Sequence, residues 1–298
     1  MVHTNRILRT PVGLSPLRKL ISHYDGLLCD IWGVLHNGDA ALSEAIEALC
    51  KTRATGRFVI LLTNAPRLSK DIYPQLARFG VPRDAFDTIV TSGDVTAQLI
   101  AKQPKAALFH FGPERDRSVL EGLTNPIVDL ARAELCLLTG PLDDAIETVD
   151  LYGNDLEVMC KNNVEMICAN PDLVVRSGNR MVICAGSIAQ RYAQMGGRVT
   201  YAGKPEPAIY DEALRRAAIL TGRDIPKCCV LAIGDGLPTD IKGAADSGLD
   251  AYFVASGIHA SEFGALNVAD NAVKAAGKIM TRFKSLKLVG VCDRLSWS

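Results

Sequence analysis

The sequence predicts an α/β protein with a doubly wound, mostly parallel sheet and a second α/β block inserted into it. Three observations lead to this prediction. Short apolar runs alternate with helical patterns along the chain, which is typical of parallel strands covered by helices. Several apolar runs end abruptly in a polar residue. The character of the chain also changes at Gln103-Pro104, and the first pattern returns near residue 200.

The composition is that of an ordinary globular protein. Of 298 residues, 48% are apolar and 22% are charged, and the formal net charge is zero, so neither nucleic acid nor a membrane surface is an expected partner. No apolar run approaches the ~20 residues that span a bilayer, and no apolar segment typical of a signal peptide precedes Pro11. The nine cysteines form no CxxC pair. We therefore expect a cytoplasmic protein. The sequence is compatible with a homodimer but leaves the oligomeric state open.

The first part of the chain contains three buried strands and the helices between them. Ser15-Pro16 has the residue types that begin a helix. The apolar run that follows ends at Asp30 and predicts a strand. The remaining expected elements are a helix over 42–52, a strand over 57–62, a helix over 69–79, a strand over 88–90 and a helix over 92–99.

The block over residues 104–199 alternates strand and helix and is long enough to bury a core of its own. Apolar runs predict strands over 106–111, 134–138 and 165–168, and helical spacing predicts helices over 113–123, 143–162 and 186–195. Asn170-Pro171-Asp172 predicts a turn.

The first pattern then resumes, with a strand over 198–201 that leads into Gly203-Lys204-Pro205. A helix follows, then an apolar strand over 228–233 that ends in Gly234-Asp235-Gly236, a helix over 239–248 and a strand over 251–254. The predicted domains are therefore a discontinuous core over 15–103 and 200–298, with a second domain over 104–199.

Polar residues stand at the ends of four predicted strands: Asp30, Thr63-Asn64, Lys204 and Asp235. The carboxyl ends of parallel strands lie at one edge of a sheet, where ligands bind in open α/β folds. An Asp at that edge can act as a nucleophile towards a phosphoryl group or as a ligand of a hard cation. It can also simply cap a turn, and each residue taken alone allows that simpler interpretation.

Taken together, these residues resemble the four motifs of the haloacid dehalogenase-like (HAD) phosphohydrolases. The fourth motif would be Gly234-Asp235-Gly236-Leu237-Pro238-Thr239-Asp240. The order resembles the branch with a large α/β cap between the second and third motifs, which includes nitrophenyl, sugar and nucleotide phosphatases. The resemblance covers about residues 25–260 and implies a HAD-like Rossmannoid core with a cap at 104–199.

The resemblance implies a Mg²⁺-dependent phosphohydrolase that acts on a small phosphorylated metabolite, such as a sugar, nucleotide or glycolate-type phosphate. It assigns Asp30 as the nucleophile that forms an aspartyl-phosphate. It assigns Asp30, the backbone carbonyl of Trp32 and Asp235 as Mg²⁺ ligands. Thr63, Asn64 and Lys204 would bind the phosphoryl oxygens, and Asp240 would support Lys204 or a metal-bound water.

Trp32 is a departure from the family pattern. The family usually has a second Asp at this position, which acts as general acid and base, and an indole cannot replace it. Such catalysis contributes about 10²–10⁴-fold, so we expect weak turnover of alkyl phosphates. A substrate with a good leaving group would need no acid, and His36, in the following loop, is a candidate replacement.

Three other readings remain open. The chain would be a phosphate-binding regulatory protein of the same fold if Trp32 had ended turnover. A dehalogenase needs no metal, so the paired Asp235 and Asp240 argue against one. A receiver domain of a signalling relay also has Asp, Thr and Lys at strand ends, but it lacks an insertion of about 95 residues.

Overall fold

The computed structural model describes residues 14–177, 180–263 and 269–298, and two separate parallel sheets organise them. The larger sheet has six strands in the order β12-β11-β10-β1-β2-β3, and all neighbouring strands are parallel. Its strands are β1 (Gly26–Asp30), β2 (Phe58–Thr63), β3 (Thr88–Thr91), β10 (Val230–Gly234), β11 (Asp250–Val254) and β12 (Lys287–Cys292). The predicted α/β class with a mostly parallel sheet is confirmed.

Helices cover both faces of this sheet. They are α1 (Leu17–Leu20), α2 (Ser43–Ala54), α3 (Ser69–Arg78), α4 (Ser92–Ala101), α7 (Pro207–Thr221), α8 (Lys242–Ser247), α9 (Ala260–Phe263) and α10 (Ala269–Arg282). Successive strand residues point to opposite faces, so Leu28 and Ile60 pack into one apolar core while Leu27 and Leu61 pack into the other. Burial on both faces explains why these strands are continuous apolar runs.

The second sheet has four parallel strands in the order β4-β5-β6-β9. These are β4 (Leu108–Phe111), β5 (Leu135–Leu138), β6 (Glu165–Cys168) and β9 (Arg198–Tyr201). With α5 (Gly153–Lys161) and α6 (Ala185–Gln194) the sheet encloses its own apolar core, which includes Met166 and Ile188. A hairpin of β7 (Val174–Ser177) and β8 (Arg180–Ile183) lies between β6 and α6 in the chain.

The position of β9 corrects one sequence expectation. We expected residues 198–201 to return the chain to the core pattern, but β9 pairs with β6 over its whole length. The strand that precedes Lys204 therefore belongs to the second sheet, and the first sheet resumes only at β10. An apolar-run pattern identifies a strand but carries no information on its pairing partner.

Two predicted helices in the second block are also wrong in extent. The helix expected over 143–162 is shortened to α5, which a 3₁₀ turn at Val149–Tyr152 precedes. The side chain of Asp143 accepts a hydrogen bond from the N–H of Ala145, and such local bonds compete with helix formation. The segment expected to be a helix over 113–123 forms a 3₁₀ helix at Glu114–Leu120. Among the described residues, no helix is long and apolar enough to cross a bilayer.

Candidate active site

A cavity of about 350 Å³ lies where the strands of the first sheet end. β1 is flanked by β10 and β2, so the ends of these three strands are adjacent. Asp30 is the last residue of β1, Thr63 is the last residue of β2, and Asp235 directly follows β10. All three line the cavity, as expected for a ligand site at the carboxyl edge of a parallel sheet.

Lys204 reaches the same cavity from the segment after β9 and forms a buried ionic cluster. Its side chain is only 3% exposed, and its Nζ donates to Asp30 Oδ1 at 2.5 Å and to Asp240 Oδ1 at 2.7 Å. Burial opposes the charge of this ammonium, but the carboxylates of Asp240 and Asp30 outweigh burial and hold the pKa of Lys204 well above its usual value. Lys204 is therefore a permanent cation beside Asp30.

The cluster contains more negative than positive groups. One ligand oxygen from each of Asp30, Asp235 and Asp240 lies within 4.8 Å of the others, and all three residues are buried. Burial and the neighbouring Asp240 raise the pKa of Asp30 well above its usual value, and the same two causes raise the pKa of Asp235 to about 7. Oxygen ligands in a buried, net negative site suit a hard divalent cation. Both oxygens of Asp240 accept hydrogen bonds, from Lys204 and from the N–H of Gly236, whereas Lys204 binds one oxygen of Asp30 and the N–H of Ile258 binds one oxygen of Asp235. Asp30 and Asp235 are therefore the candidate carboxylate ligands for a metal.

Two glycines allow Asp235 to take its position. A Cβ on Gly33 would lie 2.2 Å from Asp235 Oδ2, and a Cβ on Gly257 would lie 1.8 Å from the same atom. Gly33 also has a φ of +86°, which disfavours other residues. The N–H of Ile258 donates to Asp235 Oδ2 at 2.7 Å. The loop after β11 therefore fixes this carboxylate, a contact between distant residues that no local sequence pattern indicates.

Thr63 and Asn64 both line the cavity, but their side chains make different hydrogen bonds. Thr63 Oγ1 accepts a hydrogen bond from the N–H of Ala65 at 3.2 Å and lines the cavity. Asn64 accepts from the N–H of Lys204 and donates to the carbonyl of Lys204 and to Asp172. Its amide therefore binds protein groups, whereas the family resemblance implies that it binds phosphoryl oxygens.

Trp32 lines the cavity two residues after Asp30, and its ring contacts that of His36. The two rings meet edge to face with centroids 5.1 Å apart. His36 is only 2% exposed, and its Nδ1 accepts a hydrogen bond from the N–H of Gly38 at 3.1 Å. Burial lowers the pKa of His36 to about 4, so the ring is neutral at pH 7 and holds no acidic proton for a leaving group. This placement disfavours His36 as the replacement acid.

Comparison with known proteins identifies the family. The family model described as haloacid dehalogenase-like hydrolase matches residues 27–124, and a HAD-hydrolase-like model matches residues 201–274. A haloacid dehalogenase-like hydrolase from Brucella suis 1330, solved by crystallography, is 39% identical, with a TM-score of 0.83 over 94% of this chain and 99% of that chain. The chain belongs to the haloacid dehalogenase-like hydrolases.

Relatives of this HAD-like hydrolase include named phosphatases. The 5'-nucleotidase YutF of Bacillus subtilis (strain 168) is 26% identical over 79% of this chain and 88% of its own length. A glycerol phosphate phosphatase from Mycobacterium tuberculosis, solved in complex with calcium, is 24% identical. It covers 80% of this chain and 68% of its own, with a TM-score of 0.63, and shares the fold.

Several residues that line the cavity of this HAD-like hydrolase were not singled out as site residues from sequence. They are Asn37, Asp39, Leu42, Asp172, Val174, Val175 and Arg294. Asp172 had one sequence signal, the Asn170-Pro171-Asp172 turn. Burial raises its pKa, while the charge of Lys204 and the hydrogen bond from Asn64 oppose that rise. The others come from loops and from β7, which meet the cavity only through tertiary contacts.

Proposed function

We propose that this HAD-like hydrolase is a Mg²⁺-dependent phosphohydrolase that acts on a small phosphorylated metabolite, such as a sugar, nucleotide or glycolate-type phosphate. The observation that carries the proposal is the buried contact of Asp30 with Lys204 at the edge of the sheet, beside Asp235. A nucleophilic carboxylate, a fixed cation and a second carboxylate are the groups that phosphoryl transfer needs. The phosphatase names of two relatives support the same reaction class.

In the proposed reaction, an oxygen of Asp30 attacks phosphorus while the bond from phosphorus to the leaving-group oxygen breaks. The product is an aspartyl-phosphate at Asp30. Water then attacks its phosphorus, the bond from the Asp30 oxygen to phosphorus breaks, and inorganic phosphate leaves with the protons of the water, which restores the carboxylate. Lys204 lies 2.5 Å from Asp30 and so stabilises charge on the equatorial phosphoryl oxygens. Thr63 lines the same cavity, and its hydroxyl would donate a hydrogen bond to this phosphoryl group.

The carboxylates of Asp30 and Asp235 and the backbone carbonyl of Trp32 are the proposed Mg²⁺ ligands. When bound, the ion would offset the charge of the carboxylates and polarise a phosphoryl oxygen. The excess of buried negative charge fits this assignment, because Lys204 is the cation that the structure places against Asp30 and Asp240. The calcium in the mycobacterial relative supports a divalent ion in this fold.

Trp32 sets the expected substrate range. With an indole in place of the usual acid, protonation of an alkoxide leaving group lacks help worth about 10²–10⁴-fold. We therefore expect weak turnover of alkyl phosphates. The same residue favours a second candidate function, a phosphate-binding regulatory protein of the same fold with little or no turnover.

One experiment separates these two functions. Hydrolysis of p-nitrophenyl phosphate is measured with and without Mg²⁺ for the parent protein, for Asp30→Asn and for the control Asp144→Asn, a partly exposed residue of the second block. We expect Mg²⁺-dependent turnover in the parent and the control, and none in Asp30→Asn. Turnover that persists in Asp30→Asn would refute the nucleophile. Phosphate binding without turnover in the parent would favour the regulatory protein.

A further inference from the structure

Asn64 lies at the junction of the two sheets and uses its whole amide there. Its Oδ1 accepts a hydrogen bond from the N–H of Lys204 at 2.7 Å. Its Nδ2 donates to the carbonyl of Lys204 at 3.2 Å and to Asp172 Oδ1 at 2.9 Å. One side chain thus forms hydrogen bonds with the N–H and the carbonyl of Lys204 and with the carboxylate of Asp172, which lies in the second block.

Two glycines let the Asp172 loop come this close. A Cβ on Gly203 would lie 2.4 Å from Asn64 Oδ1 and 2.7 Å from Pro171 Cδ. A Cβ on Gly186, in α6, would lie 2.3 Å from the carbonyl oxygen of Pro171. Any larger residue at either position would push the loop away, so the contact between Asp172 and Asn64 depends on both glycines.

We propose that Asp172 is a positioning residue for Lys204 and acts through Asn64. The inference rests on the phosphohydrolase function proposed above and adds a residue to it. An ionised carboxylate only accepts hydrogen bonds, so Asp172 holds the Nδ2 side of the amide in place. The Oδ1 of Asn64 thereby stays in its hydrogen bond with the N–H of Lys204. In this way Asp172, a residue of the second block, fixes the backbone of Lys204.

This placement matters because Lys204 must meet a phosphoryl group within a narrow range of positions. A displacement of about 1 Å in a catalytic group can cost about 10²-fold in rate. A hydrogen bond to a charged acceptor is also stronger than a neutral one. Loss of the Asp172 carboxylate should therefore slow the reaction even though Asp172 itself transfers no proton.

The test is a double-mutant cycle on p-nitrophenyl phosphate hydrolysis with Mg²⁺. We expect Asp172→Ala to lower kcat about tenfold, the size of one charged hydrogen bond, with a smaller change in KM. Asp172→Asn keeps a neutral acceptor oxygen and should recover part of that loss. In an Asn64→Ala background, Asp172→Ala should have no further effect. Asp129→Ala, on an exposed side chain of the same block, is the matched control.

Three results would overturn the inference. If Asp172→Asn is as slow as Asp172→Ala, and both variants lose the basic limb of the pH profile of kcat, Asp172 is a proton donor. Additive losses in the double variant would show that Asp172 does not act through Asn64. Equal losses in Asp129→Ala would show a general effect on the block.

Failure of the proposed function gives a different signature. If the parent protein hydrolyses no phosphate ester, the same cycle is measured as binding of inorganic phosphate by calorimetry. Positioning would still be supported if Asp172→Ala weakened phosphate binding in the parent protein but had no effect on binding in the Asn64→Ala background. A parent protein that neither turns over phosphate esters nor binds phosphate would refute both proposals.

Discussion

Asp235→Asn should stabilise the metal-free protein. Burial and the carboxylate of Asp240 raise the pKa of Asp235 from 3.8 to about 7. Above pH 7 Asp235 is therefore ionised in both states, and its ionisation costs more free energy in the folded protein than in the unfolded chain. At 1.36 kcal/mol per pKa unit, this corresponds to about 4 kcal/mol. Near 2.1 cal/mol/K per residue, that free energy shifts the unfolding temperature of 298 residues by about 6 °C.

The sign of this effect depends on pH. The pKa of Asp235 is higher in the folded state, so folding is most stable below the unfolded pKa, and stability falls as pH rises towards 7. The gain from Asp235→Asn should thus be full at pH 8 and absent at pH 4. Asn keeps an acceptor for the N–H of Ile258, so packing should change little.

Thermal unfolding in EDTA at pH 8 and at pH 4 measures this gain, with the exposed Asp129→Asn as control. Addition of Mg²⁺ at pH 8 should raise the unfolding temperature of the parent and leave that of Asp235→Asn nearly unchanged. An Asp235→Asn variant no more stable than the parent at pH 8 in EDTA would refute the excess of buried negative charge. The case for a metal at this carboxylate would then lose its physical basis.

Three further predictions concern the same cavity. Trp32→Asp should hydrolyse glycerol phosphate about 10²–10⁴-fold faster than Trp32→Asn, which has a similar shape but no acidic proton; equal rates in a steady-state assay would show that protonation does not limit turnover. The parent should hydrolyse p-nitrophenyl or acetyl phosphate faster than a sugar phosphate, and the reverse order in a substrate screen would indicate an unassigned acid. Lys204→Met should lower the free energy of unfolding by about 3–5 kcal/mol at pH 8 without metal, because it leaves Asp30 and Asp240 as unpaired buried carboxylates. Urea denaturation measures this loss, and an unchanged midpoint would contradict the ionic cluster.

The strands that carry Asp30 and Asp235 could be predicted because they are buried on both faces and end sharply. β1 and β10 are entirely buried, so their apolar runs stand out from the loops around them. β9 was recognised as a strand but assigned to the wrong sheet, since pairing depends on distant residues. The hairpin of β7 and β8, and the C-terminal α10 and β12, were not predicted.

The meeting of side chains in one cavity could be predicted where it depends on residue type and strand position, and not where it depends on the direction of a side chain. Asp30 and Lys204 were expected in one cavity, and they lie in contact there. The direction in which the Asn64 amide points depends on Lys204 and Asp172, which lie far from it in the chain. Gly257 lies in the loop after β11, and the fold of that loop brings it close to Asp235. The sequence around Gly257 contains no local signal for this contact.

The pairing of β1 with β2 and β10 involves no residue of the second block. A chimaera that carries a second block grafted from another protein should therefore keep the register of the six-stranded sheet. The graft would still have to supply a carboxylate at the place of Asp172 and glycines where Gly186 and Gly203 now allow close approach. A grafted block would also have to match the apolar core in which Leu108, Leu135 and Ile167 pack in one cluster with Leu28 and Ile60 of the first sheet.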